Sequence, residues 1–149
     1  MLTDYHLHLR LDEDDRPPER SAFTTENVEG YVAAAKKAGI EELGCSEHVY
    51  RFTDALEIWR HPFWERQARD DLDAYCEFVR STPLRLGLEV DFVPGSEDRT
   101  ASLLDGHDFD YVVGSVHFLG DRAVDEVRDW GIEEIALFDH RSRRMEPLG

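Results

Sequence analysis

Two histidines separated by one residue, His6 and His8, lie in a segment at the start of the chain in which apolar and polar residues roughly alternate, Met1 to Leu9. The alternation predicts a β-strand, on which side chains two residues apart point to the same face. The two histidines then stand about 7 Å apart along the backbone. Imidazoles that project together from one strand can share a metal ion. A surface strand with two solvated histidines is the alternative, and the rest of the chain decides between them.

Composition limits the classes of function. The chain has 149 residues, enough for one domain with its own core. Its formal net charge of −16 disfavours binding to nucleic acid and to anionic membranes. No apolar run approaches the roughly 18 residues that span a bilayer, and the N-terminus lacks the pattern of a signal peptide. The cysteines, Cys45 and Cys76, are expected to be reduced thiols, and a cytoplasmic location is expected.

Strands and helices are predicted to alternate along the chain. Strands are predicted over residues 1–9, 40–48, 84–93 and 110–118, with a fifth over 132–138. The first helix is expected to begin after Thr25 and to end at Gly39, where a left-handed residue suits a helix C-terminus. A second helix is predicted from Pro62, with the buried stripe Trp64, Ala68, Leu72, Tyr75 and Val79, followed by a third over 96–104 and a fourth over 121–130. The alternation predicts an α/β fold with a mainly parallel sheet.

Metal-type ligands recur at the carboxyl ends of the predicted strands. In order along the chain they are His6 and His8, then His48, then Glu89 and Asp91, then His117. Parallel sheets bring these ends together at one edge, where α/β proteins carry their sites. The coincidence favours a shared metal site over scattered surface histidines.

Four motifs in this order resemble those of the PHP family, named for its polymerase and histidinol phosphatase members. They are Asp4-Tyr5-His6-Leu7-His8, Ser46-Glu47-His48, Gly87-Leu88-Glu89-Val90-Asp91 and Gly114-Ser115-Val116-His117-Phe118. The match extends from Thr3 to about Asp125 and is similar to the histidinol-phosphatase branch in particular. The resemblance implies a distorted TIM-like barrel of seven βα units. Residues 1–149 would form the N-terminal portion of one such domain, with about four to five units present and an irregular tail over 141–149.

The resemblance also implies a cluster of two or three divalent metal ions, for which imidazole and carboxylate ligands suit Zn, Mn or Fe. His6 and His8 would hold the first ion, Glu89 would bridge the first and second, His117 would hold the second and His48 the third. Glu89 and His117 would thereby be catalytic. The family takes a further ligand from the loop after His8, where this chain offers four acids without a basis for choice: Asp12, Glu13, Asp14 and Asp15.

Such ions activate water and neutralise a phosphate group, so the implied reaction is hydrolysis of a small phosphate ester. Arg51, just after the second strand, is placed to contact a phosphate oxygen; pairing with one of the chain's many acids is the alternative. Asp91 could orient a histidine ligand. The remaining histidines, His61 and His107, are expected to be ordinary surface residues.

Two later family motifs are absent: a histidine before a proline, and an Asp-x-His near the C-terminus. A partial barrel exposes a strand edge and an apolar face, which predicts self-association or marginal stability. Three functions therefore stay open. The first is hydrolysis of histidinol phosphate in histidine biosynthesis, the second is hydrolysis of another phosphoester, and the third is weak metal binding with little catalysis. Whether another chain completes the barrel is also open.

Overall fold

A computed structural model of the chain describes residues 1–11 and 21–123. These residues belong to two compact units, the first of which is Met1–Ser115. The second begins at Val116 and is described as far as Ala123. The predicted fourth helix beyond Ala123, the predicted fifth strand and the predicted tail over 141–149 lie outside the described residues.

The first unit is built on one parallel sheet of four strands. Its strands are β1 (Thr3–Asp4), β2 (Glu42–His48), β3 (Arg85–Asp91) and β4 (Tyr111–Ser115), and they lie side by side in the order of the chain. Every neighbouring pair is parallel. The predicted α/β fold is confirmed, and the sheet is that of a partial TIM-like barrel.

Four helices accompany these strands. They are α1 (Thr25–Ala38), α2 (Pro62–Gln67), α3 (Leu72–Arg80) and α4 (Glu97–Asp105). The predicted loop between β2 and α2 contains two short 3-10 helices, Val49–Arg51 and Thr53–Glu57. No helix among the described residues is long and apolar enough to cross a bilayer.

Helix α1 has the expected ends, with a correction of one residue at its start. The N-cap is Thr24 rather than Thr25, and its hydroxyl accepts a hydrogen bond from the backbone N–H of Asn27 at 3.3 Å. Gly39 ends the helix in the left-handed region, with φ 76°, as predicted. Val28 and Ala35 face the interior.

The single helix predicted from Pro62 is wrong, because the chain forms two helices there. The backbone N–H groups of Arg69 and Asp70 both donate to the carbonyl of Arg51 at 3.0 Å, which draws the chain out of helical geometry. Asp71 then starts α3 by accepting from the N–H of Ala74 at 2.7 Å. Four members of the predicted stripe are nevertheless completely buried, as expected: Trp64, Leu72, Tyr75 and Val79.

The first and fourth strands are shorter than predicted. β1 ends at Asp4, whose carboxylate accepts from the N–H of His6 at 3.1 Å, so the two histidines follow the strand instead of lying on it. β4 ends at Ser115. In the second unit, strands β5 (Phe118–Leu119) and β6 (Arg122–Ala123) form an antiparallel hairpin, which corrects the helix predicted from residue 121 at its first turn.

The two faces of the parallel sheet are packed differently. On the face with Cys45, Leu86 and Leu88, which are at most 1% exposed, the sheet is apolar. On the other face the ring of Tyr111 lies over two glycines, Gly44 and Gly87, and its hydroxyl donates to the carbonyl of Tyr5 at 2.8 Å. Both cysteines are free thiols, as predicted.

Candidate metal centre

Three imidazoles converge on one carboxylate oxygen at the carboxyl ends of the strands. Glu89 Oε2 lies 2.9 Å from His6 Nε2, 3.3 Å from His8 Nε2 and 3.1 Å from His48 Nδ1. Four of the five ligands predicted from the sequence, Glu89 and the three histidines around it, therefore lie together in the first unit.

The register of the sheet explains why His48 and Glu89 lie together. His48 is the last residue of β2 and pairs directly with Glu89 of β3, so both side chains project from the same face. His6 and His8 arrive from the segment that follows β1. This segment stays beside β2 because Leu7 accepts a hydrogen bond from the N–H of Ser46 at 2.9 Å.

The donor set fits a divalent transition metal. Three neutral imidazole nitrogens and a carboxylate oxygen are the ligands that Zn and its neighbours prefer in proteins. The ligand atoms of His6, His8 and Glu89 all lie within 4.8 Å of one another, which is the spacing of groups that can share an ion. These side chains would hold the ion, with Glu89 central to all of them.

Burial varies across the cluster. The side chain of Glu89 is 3% exposed and that of His48 is 10% exposed, whereas His8 is 23% and His6 is 56% exposed. The carboxylate thus forms the closed floor of the cluster, and His6 marks its open side. Among the described residues of the cluster, the side of His6 is therefore the most accessible to a small ligand.

Ring stacking fixes the plane of the buried imidazole. His48 lies between His8, at a centroid distance of 4.2 Å, and Tyr50, at 4.7 Å, with interplanar angles of 15° and 14°. Because its ring is held on both faces, His48 has little rotational freedom. Tyr50 itself is buried.

A buried acid, Glu47, was missed by the sequence analysis. One carboxylate oxygen accepts from the backbone N–H groups of Leu9 and Arg10, and the other pairs with the guanidinium of Arg51. Alternation along β2 places Glu47 on the face opposite His48, the otherwise apolar face that carries Cys45, where a charged side chain is not expected. The signal that could have revealed it is the neighbouring arginine four residues later, because buried charges are paired.

Arg51 is oriented toward this acid. Its side chain is 2% exposed and also donates to the carbonyl of Arg10. The arrangement matches the alternative considered from the sequence, a loop arginine paired with an acid. The phosphate contact of Arg51 stays a prediction, and its burial weighs against it.

The other predicted residues occupy varied positions. Asp91 ends β3, is buried and shares the face of Glu89, and its orienting role stays a prediction. His117 belongs to the second unit, where it lies half-buried directly before β5, and its ligand role stays a prediction.

Asp12, Glu13, Asp14 and Asp15 lie outside the described residues. His61 caps α2 by accepting from the N–H of Phe63, and His107 contacts Asp73 at 3.2 Å, so both act locally.

Comparison with known proteins is consistent with these features. The family model of the PHP domain matches residues 19–130. The chain is also 33% identical, over 127 residues, to a protein of Deinococcus radiodurans named "Probable histidinol-phosphatase". The aligned region covers 80% of this chain and 43% of that protein, so the chain spans less than half the length of this relative.

Proposed function

Since this chain belongs to the PHP domain family, we propose that it acts as a metal-dependent phosphoesterase on a small phosphate monoester. The observation that carries the proposal is the convergence of His6, His8 and His48 on one oxygen of the buried Glu89. Such a cluster is a ligand set for cations at the edge of a parallel sheet where α/β enzymes bind substrates.

Each residue of the cluster has a distinct part in the proposal. His6 and His8 would hold one divalent ion, and Glu89, His48 and His117 would supply further ligands to the cluster. When bound, Zn, Mn or Fe supplies Lewis acidity, which lowers the pKa of water and neutralises phosphate oxygens. His48, clamped between two rings, presents its nitrogen in a fixed direction. His6 is the most exposed of these histidines, and the ester would enter from its side.

Electrostatics makes cations necessary for this function. The chain carries a formal net charge of −16, and the floor of the site is itself a carboxylate. A phosphate ester is repelled by such a surface unless cations occupy the site. The proposal therefore ties substrate binding, as well as catalysis, to the metal.

For the substrate we propose histidinol phosphate. Its hydrolysis to histidinol and phosphate would serve histidine biosynthesis. The name of the Deinococcus radiodurans relative supports this choice. The cationic amine of histidinol also suits an acidic protein. A different small phosphoester is the alternative within the same class of reaction.

A second candidate is a chain that binds metal but turns over little substrate. These 149 residues contain neither of the two later motifs, histidine–proline and Asp-x-His, which favours this candidate for this stretch of sequence taken by itself. This candidate predicts bound metal without phosphate release.

Phosphate release from chelator-treated protein reloaded with Zn, Mn or Fe separates these proposals. We expect release from histidinol phosphate that requires metal and is lost in Glu89→Gln. The matched control is Glu97→Gln, which changes an exposed carboxylate at the start of α4 and should retain activity. Turnover of p-nitrophenyl phosphate alone would favour another substrate, and stoichiometric metal without any turnover would favour the second candidate.

A further inference from the structure

We propose that Glu47 is a positioning residue that aims His8 at the candidate metal centre through the backbone of the two residues that follow it. The inference rests on the proposed function in one respect, because it takes His8 to be a metal ligand. Glu47 belongs to none of the ligand positions assigned above.

Two backbone N–H groups beyond β1 take a side chain as their acceptor. β1 ends at Asp4, and although the segment that follows stays beside β2, the N–H groups of Leu9 and Arg10 need acceptors of their own. One oxygen of Glu47, Oε1, accepts from the N–H of both Leu9 and Arg10, the latter at 3.0 Å. A single side chain therefore fixes the path of the chain immediately after His8.

Glu47 is itself held in place by a network of buried charges. Its other oxygen pairs with Arg51, which also donates to the carbonyl of Arg10. The side chain of Arg10 in turn donates to Asp70 and to the carbonyl of Gln67, both at 2.9 Å. Two acids, the buried Glu47 and the mostly buried Asp70, are thus matched by two buried arginines, and the network closes around the backbone of residue 10.

Glu47 acts through the backbone and not through the imidazole. Its Oε2 lies 3.9 Å from His8 Nδ1, which is too long for a hydrogen bond. On the N-terminal side of His8, the carbonyl of Leu7 accepts from the N–H of Ser46. On the C-terminal side, the peptide unit between His8 and Leu9 is held at both ends, because its carbonyl accepts from the hydroxyl of Tyr31 at 3.1 Å and its N–H donates to Glu47. Loss of Glu47 removes the acceptor of that N–H and of the next one.

Loss of such a supporting contact lowers metal affinity by about 10- to 100-fold where it orients a ligand. A test must separate this effect from loss of a buried ion pair. Two double variants do so: Glu47→Gln/Arg51→Met and Glu47→Leu/Arg51→Met. Both remove the ion pair, and only the first retains an oxygen that can accept from Leu9 and Arg10.

The measurement is the affinity of the full chain for Mn²⁺, by calorimetry after chelator treatment. We expect Glu47→Gln/Arg51→Met to bind within about threefold of wild type and Glu47→Leu/Arg51→Met to bind about 10- to 100-fold more weakly. Val79→Ala, in the core of α3, controls for general destabilisation and should keep wild-type affinity. Equal affinities of the two double variants would overturn the inference.

Two further results keep the test decisive. If wild type binds none of Mn²⁺, Zn²⁺ and Fe²⁺, the proposed function fails, whereas normal wild-type binding with equal double variants contradicts only the role of Glu47. Should the double variants fail to fold, amide hydrogen exchange of the wild-type protein decides. The N–H groups of Leu9 and Arg10 are expected to exchange as slowly as those of β2, and fast exchange would overturn the inference.

Discussion

Glu89 places a single carboxylate oxygen within 3.3 Å of three imidazole nitrogens while its own side chain is 3% exposed. A carboxylate this buried requires positive or hydrogen-bonding partners. In the metal-free chain the imidazoles can meet that need by donating N–H groups, and divalent ions can meet it by direct coordination. The same geometry is therefore compatible with both states, which is what a site that gains and loses metal requires.

Substitution of Arg51 tests whether this buried arginine stabilises the fold or binds the substrate. Because it neutralises the fully buried Glu47, we expect Arg51→Met to lower the free energy of unfolding by about 3–5 kcal/mol, measured by urea denaturation without metal. The matched control is Arg85→Met, which removes an arginine whose side chain is 53% exposed and pairs with Glu42, and which should cost far less. Unchanged stability together with a raised KM would instead identify Arg51 as a phosphate ligand.

The two cysteines are predicted to be unreactive in the folded protein. Burial raises the pKa of Cys45 to about 12 and that of Cys76 to about 11. Since the thiolate is the reactive form, both thiols stay protonated and slow toward iodoacetamide at about pH 8, and unfolding should release both. Mass spectrometry of the protein labelled with and without guanidinium chloride measures this. Rapid labelling of either cysteine in native buffer would contradict it.

At the scale of elements, the sheet follows from the sequence but the exact course of the chain around it does not. Alternating βα patterns predict four parallel strands, and residues 48 and 89 end up paired because strands of this class have one register that buries their apolar face. The break between α2 and α3 was not predictable from periodicity, since the apolar stripe continues through it. It is caused by a tertiary contact, the carbonyl of Arg51 accepting from residues 69 and 70.

For His6 and His8, too, tertiary contacts decide what local periodicity cannot predict. Local alternation correctly places His6 and His8 on one side of the chain but wrongly assigns them to a strand. Their segment is held beside β2 by the N–H of Ser46, which donates to the carbonyl of Leu7, and by the side chain of Glu47, which accepts from the N–H of Leu9, 38 positions away along the chain. Contacts of this range leave no periodic trace in the sequence, so the residues that converge on Glu89 could be predicted while the contacts that support them could not.

The glycines under Tyr111 yield a prediction for β3. A Cβ at Gly87 would stand 2.2 Å from the tyrosine ring, so we expect Gly87→Ala to lower the free energy of unfolding by about 1–3 kcal/mol. Gly30→Ala is the control, because nothing lies within 4 Å of its position in α1, and it should stabilise the protein by about 0.5–1 kcal/mol. Urea denaturation measures both. An equal cost of Gly87→Ala in the Tyr111→Ala background would contradict the steric explanation.

At the scale of the whole molecule, we propose that copies of this chain associate through the edge of the sheet. Among the described residues of the first unit, β4 pairs with β3 alone, and Val112 on this strand is 46% exposed. An edge strand with an exposed apolar residue is a site for pairing with another chain.

Sedimentation velocity over a range of concentrations tests this association. We expect a mass above that of the monomer, and we expect Val112→Lys to restore the monomer because a charge at the edge opposes pairing. Ala33→Lys, on the exposed side of α1, makes the same change of charge elsewhere and should leave association intact. A wild-type protein that stays monomeric at every concentration would contradict the proposal.

The central claim is that the imidazoles around Glu89 form a binding site for divalent cations, and calorimetric titration of the chelator-treated chain with Mn²⁺ tests it most directly. The account predicts saturable binding that is weakened at least about 10-fold in Glu89→Gln and unchanged in Glu97→Gln. Absence of saturable binding by the wild-type protein, or equal binding by Glu89→Gln, would contradict it.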